Sequence, residues 1–272
     1  MKRFLFLLPL ALLACQSHDV EPINGSATIH FKVEGFTPIQ TRTALAESDM
    51  TDLWLFDFVG DNEMQAVHLT DFSAPSLDMT YGAHRVCLVA ARGDDPTVDT
   101  PAKTITWNIP RDTFWGAVEL NVGASSNGSS VSVSLNRVAT KLRIVITDEV
   151  PDGIAKVSVT PSSWFYGLNY ETGEAAGELI KERSVDVPTS YVGTSGTLAV
   201  NFFGISDSGE WMTDVAVKAT DAGGNVMGQA TITNAPFIRN RSTEYSGPLF
   251  GSASGWVITL NDEWDDACTG TW

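Results

Sequence analysis

The stretch Ser129–Val150, SSVSVSLNRVATKLRIVITDEV, contains 22 residues and neither a glycine nor a proline. Its apolar residues alternate with polar ones, which is the period-two pattern of a β-strand with one buried face. The apolar set changes phase along the stretch: Val131, Val133 and Leu135 are followed by Val138, Leu142, Ile144 and Ile146. A one-residue slip moves a strand's apolar set to its other face, and strands rarely exceed about ten residues. The pattern therefore predicts two strands that meet near Asn136–Ala139, the last of one β-sandwich and the first of the next.

Strand patterns continue on both sides of this stretch. Upstream, SATIHFKVE (Ser26–Glu34) places Ala27, Ile29, Phe31 and Val33 on one face. Leu53 and Leu55 alternate with aromatic residues, so both faces of that strand are apolar and we expect it to be central in its sheet. Turn residues separate the strands, and no long helical pattern interrupts them, which predicts an all-β fold. The predicted organisation is a signal peptide (1–14), a tether (15–25), an N-terminal β-sandwich (26–137) and a C-terminal β-sandwich (138–272).

Two connections in the C-terminal half carry turn signals. We interpret Val150-Pro151-Asp152-Gly153 as a turn between the strand Val138–Thr147 and a return strand Ile154–Val159. The three segments would form a hairpin. Asp221-Ala222-Gly223-Gly224-Asn225 lies between two further strand patterns and predicts a second hairpin.

The charge of the chain excludes some functions. Thirty-three acidic residues outnumber 17 basic ones, and the formal net charge is −16. Phosphate binding depends on clustered lysine and arginine, so nucleic acid is not an expected partner. An anionic membrane surface is disfavoured for the same reason.

The N-terminus has the features of a bacterial export signal. Lys2-Arg3 precedes an uncharged apolar run that ends at Ala14, too short for a membrane span, which needs about 20 residues. The run closes with Leu12-Leu13-Ala14-Cys15, which resembles a lipobox, whose cysteine is acylated. Several acyl chains on Cys15 would give stable membrane attachment. The alternative is an ordinary signal peptide that happens to end in cysteine.

Residues with catalytic or metal-binding potential are scattered. The four histidines show no metal-ligand spacing, and the serines form no nucleophile elbow, so we predict no enzyme activity, no metal site and no cofactor. Cys87 lies in an apolar strand and is expected to be a buried thiol, although a bridge to Cys268 stays open. The eight tryptophans leave a sugar-stacking surface as an alternative.

Two segments of the chain resemble one family. Leu135–Ile146, with Arg137, Ala139 and Lys141, resembles the R-x-x-A-K-I-x-V-x-I start of the second domain of Bacteroidales fimbrillin-like proteins. Pro236–Phe250, with its Arg-Asn-Arg-Ser-Thr core and Gly-Pro-Leu-Phe ending, is similar to the family's rN-x-x-T-x-x-x-G-x-L-F block. The lipobox and the loop Thr41-Arg42-Thr43 also fit this family of type V pilins and fimbrial anchors.

The resemblance implies two transthyretin-like β-sandwich domains in a lipoprotein of the outer membrane. In stalk pilins, an Arg-specific protease cuts the loop after the first strand, which is then replaced by a strand of the next subunit. By position, Arg42 would be the cut site and Ser26–Glu34 the lost strand, whereas anchor subunits keep their lipid and stay uncut. The implied partners are other fimbrial subunits, the membrane through the lipid, and host or bacterial surface ligands. The alternative is a glycan-binding surface lipoprotein of a polysaccharide-uptake system.

Overall fold

A computed structural model describes residues 25–34, 50–70, 72–92, 96–196, 198–207, 209–251 and 255–261. These residues form strands joined by turns, with only short 3-10 turns as helical structure. The strands are, in chain order, β1 (Ser26–Glu34), β2 (Asp52–Val59), β3 (Asn62–Leu69), β4 (Ser76–Thr80), β5 (Gly82–Ala91), β6 (Thr97–Asp99), β7 (Thr104–Thr106), β8 (Thr113–Val122), β9 (Ser130–Ser134), β10 (Asn136–Arg137), β11 (Ala139–Ile146), β12 (Ile154–Pro161), β13 (Phe165–Asn169), β14 (Ala175–Glu178), β15 (Arg183–Asp186), β16 (Leu198–Ile205), β17 (Glu210–Asp221), β18 (Val226–Ile238), β19 (Ser242–Gly247) and β20 (Val257–Asn261). The predicted all-β fold class is confirmed.

Two sheets of the N-terminal half face each other. One has three strands in the order β4-β1-β9, and the other has five in the order β10-β8-β5-β2-β3. Their inward side chains form one core: Ala27, Ile29, Phe31, Met50, Leu53, Leu55, Leu77, Met79, Val86, Leu88, Ala90, Phe114, Val122, Val133 and Leu135. This core requires β1, because three of its members are β1 residues.

Two four-stranded sheets of the C-terminal half enclose a second core. Their orders are β16-β11-β19-β20 and β15-β12-β17-β18. The even-numbered apolar residues of the opening stretch, Leu142, Ile144 and Ile146, are fully buried in this core, as their alternation predicts. The hairpin predicted around Asp221–Asn225 is also confirmed, because β17 and β18 pair antiparallel on either side of it.

A fifth sheet combines strands from both halves. Its order is β14-β13-β7-β6, so β7 from the N-terminal half pairs with β13 from the C-terminal half. A third core cluster accompanies it and includes the aromatic face of β2, namely Trp54, Phe56 and Phe58. The prediction that both faces of β2 are covered is therefore confirmed: Leu53 and Leu55 face the first core, and the aromatic residues face the third.

Two sequence-based expectations are wrong. The stretch Ser129–Val150 contains three strands rather than two, because β10 leaves the sheet of β9 and pairs with β8 in the five-stranded sheet. The proposed hairpin at Val150–Gly153 does not form: β11 pairs with β16 and β19, whereas β12 pairs with β15 and β17 in the opposite sheet. The connection crosses the sandwich because Val150 is buried in the C-terminal core, which draws the chain from one sheet to the other. The division into domains at residues 137 and 138 stays a prediction.

Candidate functional site

Strand β1 occupies the centre of the three-stranded sheet. Its first half pairs antiparallel with β4, from Ser26 opposite Thr80 to His30 opposite Ser76. Its second half pairs in parallel with β9, from His30 opposite Ser130 to Glu34 opposite Ser134. The strands β4 and β9 do not pair with each other, so β1 is the strand that joins them. We refer to the space that β1 fills between them as the β1 seat.

Side chains on one face of β1 enter the N-terminal core. Ala27, Ile29 and Phe31 are at most 4% exposed, and Val33 packs at the edge of the same cluster. This alternation fits a strand that inserts between two others and contributes every second side chain to a core. The role of these four residues in strand exchange stays a prediction.

Polar contacts hold the two ends of β1. The Ser132 hydroxyl of β9 and the Lys32 ammonium donate to the Glu34 carboxylate at 3.0 and 2.7 Å. These hydrogen bonds lower the pKa of Glu34, the contact with Lys32 having the larger effect. At the other end, the Thr28 hydroxyl donates to the Asp78 carboxylate of β4 at 2.6 Å. Exposed polar contacts add little to stability, so we expect these contacts mainly to fix the register of β1 against its neighbouring strands.

The proposed lipidation and cleavage sites, Cys15 and Arg42, lie outside the described residues, as does Cys268. Cys87 is a free thiol that is completely buried in the third core cluster. Burial raises the pKa of Cys87 to about 11, so the thiol is unreactive at neutral pH. No group of side chains among the described residues is arranged to hold a metal ion.

The two segments that carry the family resemblance meet at the junction of the halves. The Arg137 guanidinium donates to both oxygens of Asp112, at 2.7 and 2.8 Å, and to Asn240 Oδ1 at 3.2 Å. Arg137 is buried and lies over the Phe114 ring. One charged side chain thus connects the end of the N-terminal half to the turn before β19. The arginine and asparagine of the two segments therefore have a structural role.

Backbone contacts reinforce this junction. Asn240 adopts a left-handed conformation with φ of 61°, which asparagine tolerates better than most residues. Its N–H donates to the Ala139 carbonyl at 2.8 Å, and the Thr140 hydroxyl donates to the Arg241 carbonyl at 3.1 Å. Segments about 100 residues apart in the chain thus form one continuous hydrogen-bonded unit.

Sequence reasoning missed a buried polar pair in the N-terminal core. His84 Nδ1 lies 2.7 Å from Asp57 Oδ1, and both side chains are almost completely buried. Asp57 follows Leu53 and Leu55 on the inward face of β2, and His84 precedes Val86 on the inward face of β5. The available signal was a charged residue at an inward position of an apolar strand, because such residues are paired when buried.

The fold is shared with solved structures from Bacteroides. One, from Bacteroides ovatus and described as a "putative adhesin", has a TM-score of 0.56 and 11% identity over 77% of this chain and 83% of its own. A second so described, from Bacteroides thetaiotaomicron, has a TM-score of 0.54 and 11% identity over 87% and 95%. A third from that organism, described as "putative polysaccharide binding proteins", has a TM-score of 0.52 and 11% identity over 87% and 97%.

The family model described as "Family of unknown function (DUF6562)" matches residues 97–271, and the chain belongs to this family. A comparison with curated proteins finds no match. The structural neighbours, two of them described as a "putative adhesin" from Bacteroides, share the all-β fold that the resemblance to fimbrillin-like proteins implies. No helix among the described residues is long and apolar enough to cross a membrane.

Proposed function

We propose that this protein is a cell-surface lipoprotein of the outer membrane that acts without enzymatic activity, as a fimbrial subunit or anchor in assembly and adhesion. The single observation that supports this most is the place of β1, the shared partner of two strands that do not otherwise pair. A β-strand that leaves such a position can be replaced by an equivalent strand of another subunit. Other subunits of the same kind are therefore the proposed partners.

An empty β1 seat would be unfavourable, so we expect another strand to replace β1 when it leaves. Removal of β1 would expose the backbone edges of β4 and β9 together with the apolar surface that Ala27, Ile29 and Phe31 cover. Unpaired strand edges associate readily with other strands, and exposed apolar surface adds about 25 cal/mol of driving force per Å². A donor strand needs the same alternation of apolar residues.

Strand β20 pairs with β19 on one side, and we propose its other side as a second place of contact between subunits. It forms the edge of its sheet, and Val257, Ile258 and Leu260 are 65%, 44% and 42% exposed. An apolar edge strand exposed to this degree is unusual in a monomeric protein, because it promotes pairing with another chain.

The state of Cys15 and Arg42 distinguishes an anchor from a polymerising subunit. We expect an anchor to begin at acylated Cys15 and a stalk subunit to begin at Thr43. Intact mass spectrometry of the protein purified from its native outer membrane measures the difference, and substitution of Cys15 by alanine is the control for lipidation. A native protein with neither a fimbrial partner nor an adhesion defect on deletion would contradict the proposal.

Glycan binding is the second candidate, and the similarity to the structure described as polysaccharide-binding favours it. The tryptophans in the described part of the chain argue against glycan binding, because none of them is fully exposed. Three are buried (Trp54, Trp107 and Trp164), and three are only partly accessible (Trp115, Trp211 and Trp256). Sugar rings bind to exposed aromatic faces, which the described part of the chain does not offer. A glycan array with the purified protein tests this candidate, and we expect no binding.

A further inference from the structure

The outer edge of β4, on the side away from β1, is occupied by side chains of the facing sheet. Hydrogen bonds from Phe31 N to the Pro75 carbonyl and from Tyr81 N to the Gly25 carbonyl direct the odd-numbered positions of this segment toward β1. Because carbonyls alternate along a strand, those of Asp78 and Thr80 point to the opposite edge. Gln65 Nε2 donates to the Asp78 carbonyl at 3.0 Å, and His84 Nε2 donates to the Thr80 carbonyl at 2.8 Å.

Asp57 fixes the orientation of His84. A backbone carbonyl only accepts hydrogen bonds, so Nε2 must carry the proton in its contact with Thr80. The opposite nitrogen, Nδ1, is hydrogen-bonded to Asp57 Oδ1 at 2.7 Å. The imidazole ring is therefore held from both sides, and its bond to β4 does not involve β1. We refer to Asp57, Gln65 and His84 as the β4 anchor.

The opposite wall of the β1 seat, β9, is held in another way. The chain passes from β9 through buried Leu135 into β10, which pairs with β8 in the five-stranded sheet. A close approach of β9 to β8 supports this connection, because a Cβ atom added at Gly116 would lie 2.4 Å from the Ser134 carbonyl oxygen. Both walls are thus attached to the five-stranded sheet by contacts that do not require β1.

We propose that the β4 anchor positions β4 as a fixed wall of the β1 seat, so that the seat keeps its shape while one strand leaves and another enters. The occupant is an extended strand with apolar residues at alternate positions, contributed by a second subunit. This role rests on the proposed strand exchange. The backbone bonds to β1 hold β4 while β1 is present, so the β4 anchor matters most during exchange.

Strand uptake by a nicked full-length chain tests the role. The chain carries a specific protease site at position 42, is cut there, and is mixed with a fluorescent peptide of residues 25–34. Two variants remove the anchor: Gln65→Met, and the double variant Asp57→Leu/His84→Met, which leaves no unpaired buried charge. The matched control is Gln229→Met, since Gln229 is exposed on β18.

We expect nicked chains that carry the substitutions in the β4 anchor to bind the peptide about threefold to tenfold more weakly than the nicked control. The loss of one or two hydrogen bonds predicts a change of this size. The uncut variants should unfold at the same denaturant concentration as the control. Equal peptide uptake by the variants and the control would overturn the positioning role of the β4 anchor. A weaker uptake that is matched by an equal loss of stability in the uncut chains would also overturn it. Absence of uptake by the nicked wild-type chain would contradict strand exchange itself and, with it, this role.

Discussion

The Asp148 carboxylate holds the end of the second segment that carries the family resemblance, Pro236–Phe250. It lies two residues after β11 and accepts hydrogen bonds from three consecutive backbone N–H groups, those of Leu249, Phe250 and Gly251, at 2.6 to 3.1 Å. Successive N–H groups that point to one place form a natural site for an anion, and here an aspartate of the same chain fills it. The Leu-Phe ending of the second segment is thereby fixed, with Leu249 inserted in the C-terminal core.

Replacement of Asp148 by asparagine tests the strength of this link. The amide retains one acceptor oxygen but loses the charge, and hydrogen bonds to a charged acceptor are about twice as strong as neutral ones. We expect D148N to lower the free energy of unfolding in urea by about 1–3 kcal/mol. The control is D186N, because Asp186 is 87% exposed and lies 3.7 Å from Lys156, which predicts a change within about 0.5 kcal/mol. Equal effects of the two substitutions would contradict the role of Asp148.

Strand faces follow from alternation, but strand partners do not. Leu142, Ile144 and Ile146 of β11 are buried as predicted, whereas Lys141 occupies a position that alternation assigns to solvent and is 1% exposed. The reason is tertiary: its cross-strand neighbour Phe203 packs on the third core cluster, which the N-terminal half helps to form. Pairing depends in the same way on contacts far along the chain. The turn signal at Pro151–Gly153 therefore predicted the bend correctly, but the prediction that β11 and β12 pair with each other across it was wrong.

The site was predictable to a similar extent. The inward face of β1 follows from its alternation, because Ala27, Ile29 and Phe31 face the core. The parallel pairing of β1 with β9 was beyond reach, since about 100 residues separate the two strands and no local pattern links them. The pairing of Asp57 with His84 was also missed: the inward position of Asp57 was a signal for a buried partner, but only the fold shows that His84, 2.7 Å away, is that partner.

The crossing from β9 to β10 depends on a glycine in β8. Any side chain at Gly116 would collide with the Ser134 backbone, which has little freedom to move because it leads directly into buried Leu135. We expect Gly116→Ala to push β9 away from β8, to lower stability by about 1–3 kcal/mol, and to accelerate hydrogen exchange in β1. Urea denaturation and amide exchange measured by mass spectrometry test both effects.

Gly123 provides the matched control for this substitution. It follows β8, has no atom within 4 Å of an added Cβ, and has an extended backbone with φ of −146° and ψ of −179°. Alanine fits this conformation, so Gly123→Ala should leave exchange in β1 unchanged and stability the same or slightly higher. A Gly116→Ala protein that behaves like the Gly123→Ala protein would show that β9 is not held by this contact.

The two halves of the chain share one sheet and one core cluster. Tyr170, which follows β13 of the shared sheet, is fully buried, and its ring stacks on Phe56 of β2 at 3.8 Å. Its hydroxyl donates to Glu63, and the Trp115 indole donates to the Tyr170 carbonyl at 2.9 Å. Burial, together with the bond to Glu63, raises the pKa of Tyr170, so the phenol stays protonated. An aromatic side chain of the C-terminal half thus packs against β2 in the core cluster that the two halves share.

This junction predicts cooperative unfolding of the whole molecule. An interface with its own core cluster couples two units, so we expect one thermal transition for the wild type by calorimetry. Tyr170→Ala removes the stacked ring, costs about 3–5 kcal/mol and should divide the unfolding into two transitions. Tyr166→Ala is the matched truncation, because Tyr166 lies in β13 but is buried in the C-terminal core; it should lower the transition temperature and leave a single transition. If both variants divide the unfolding, or neither does, the coupling does not reside at Tyr170.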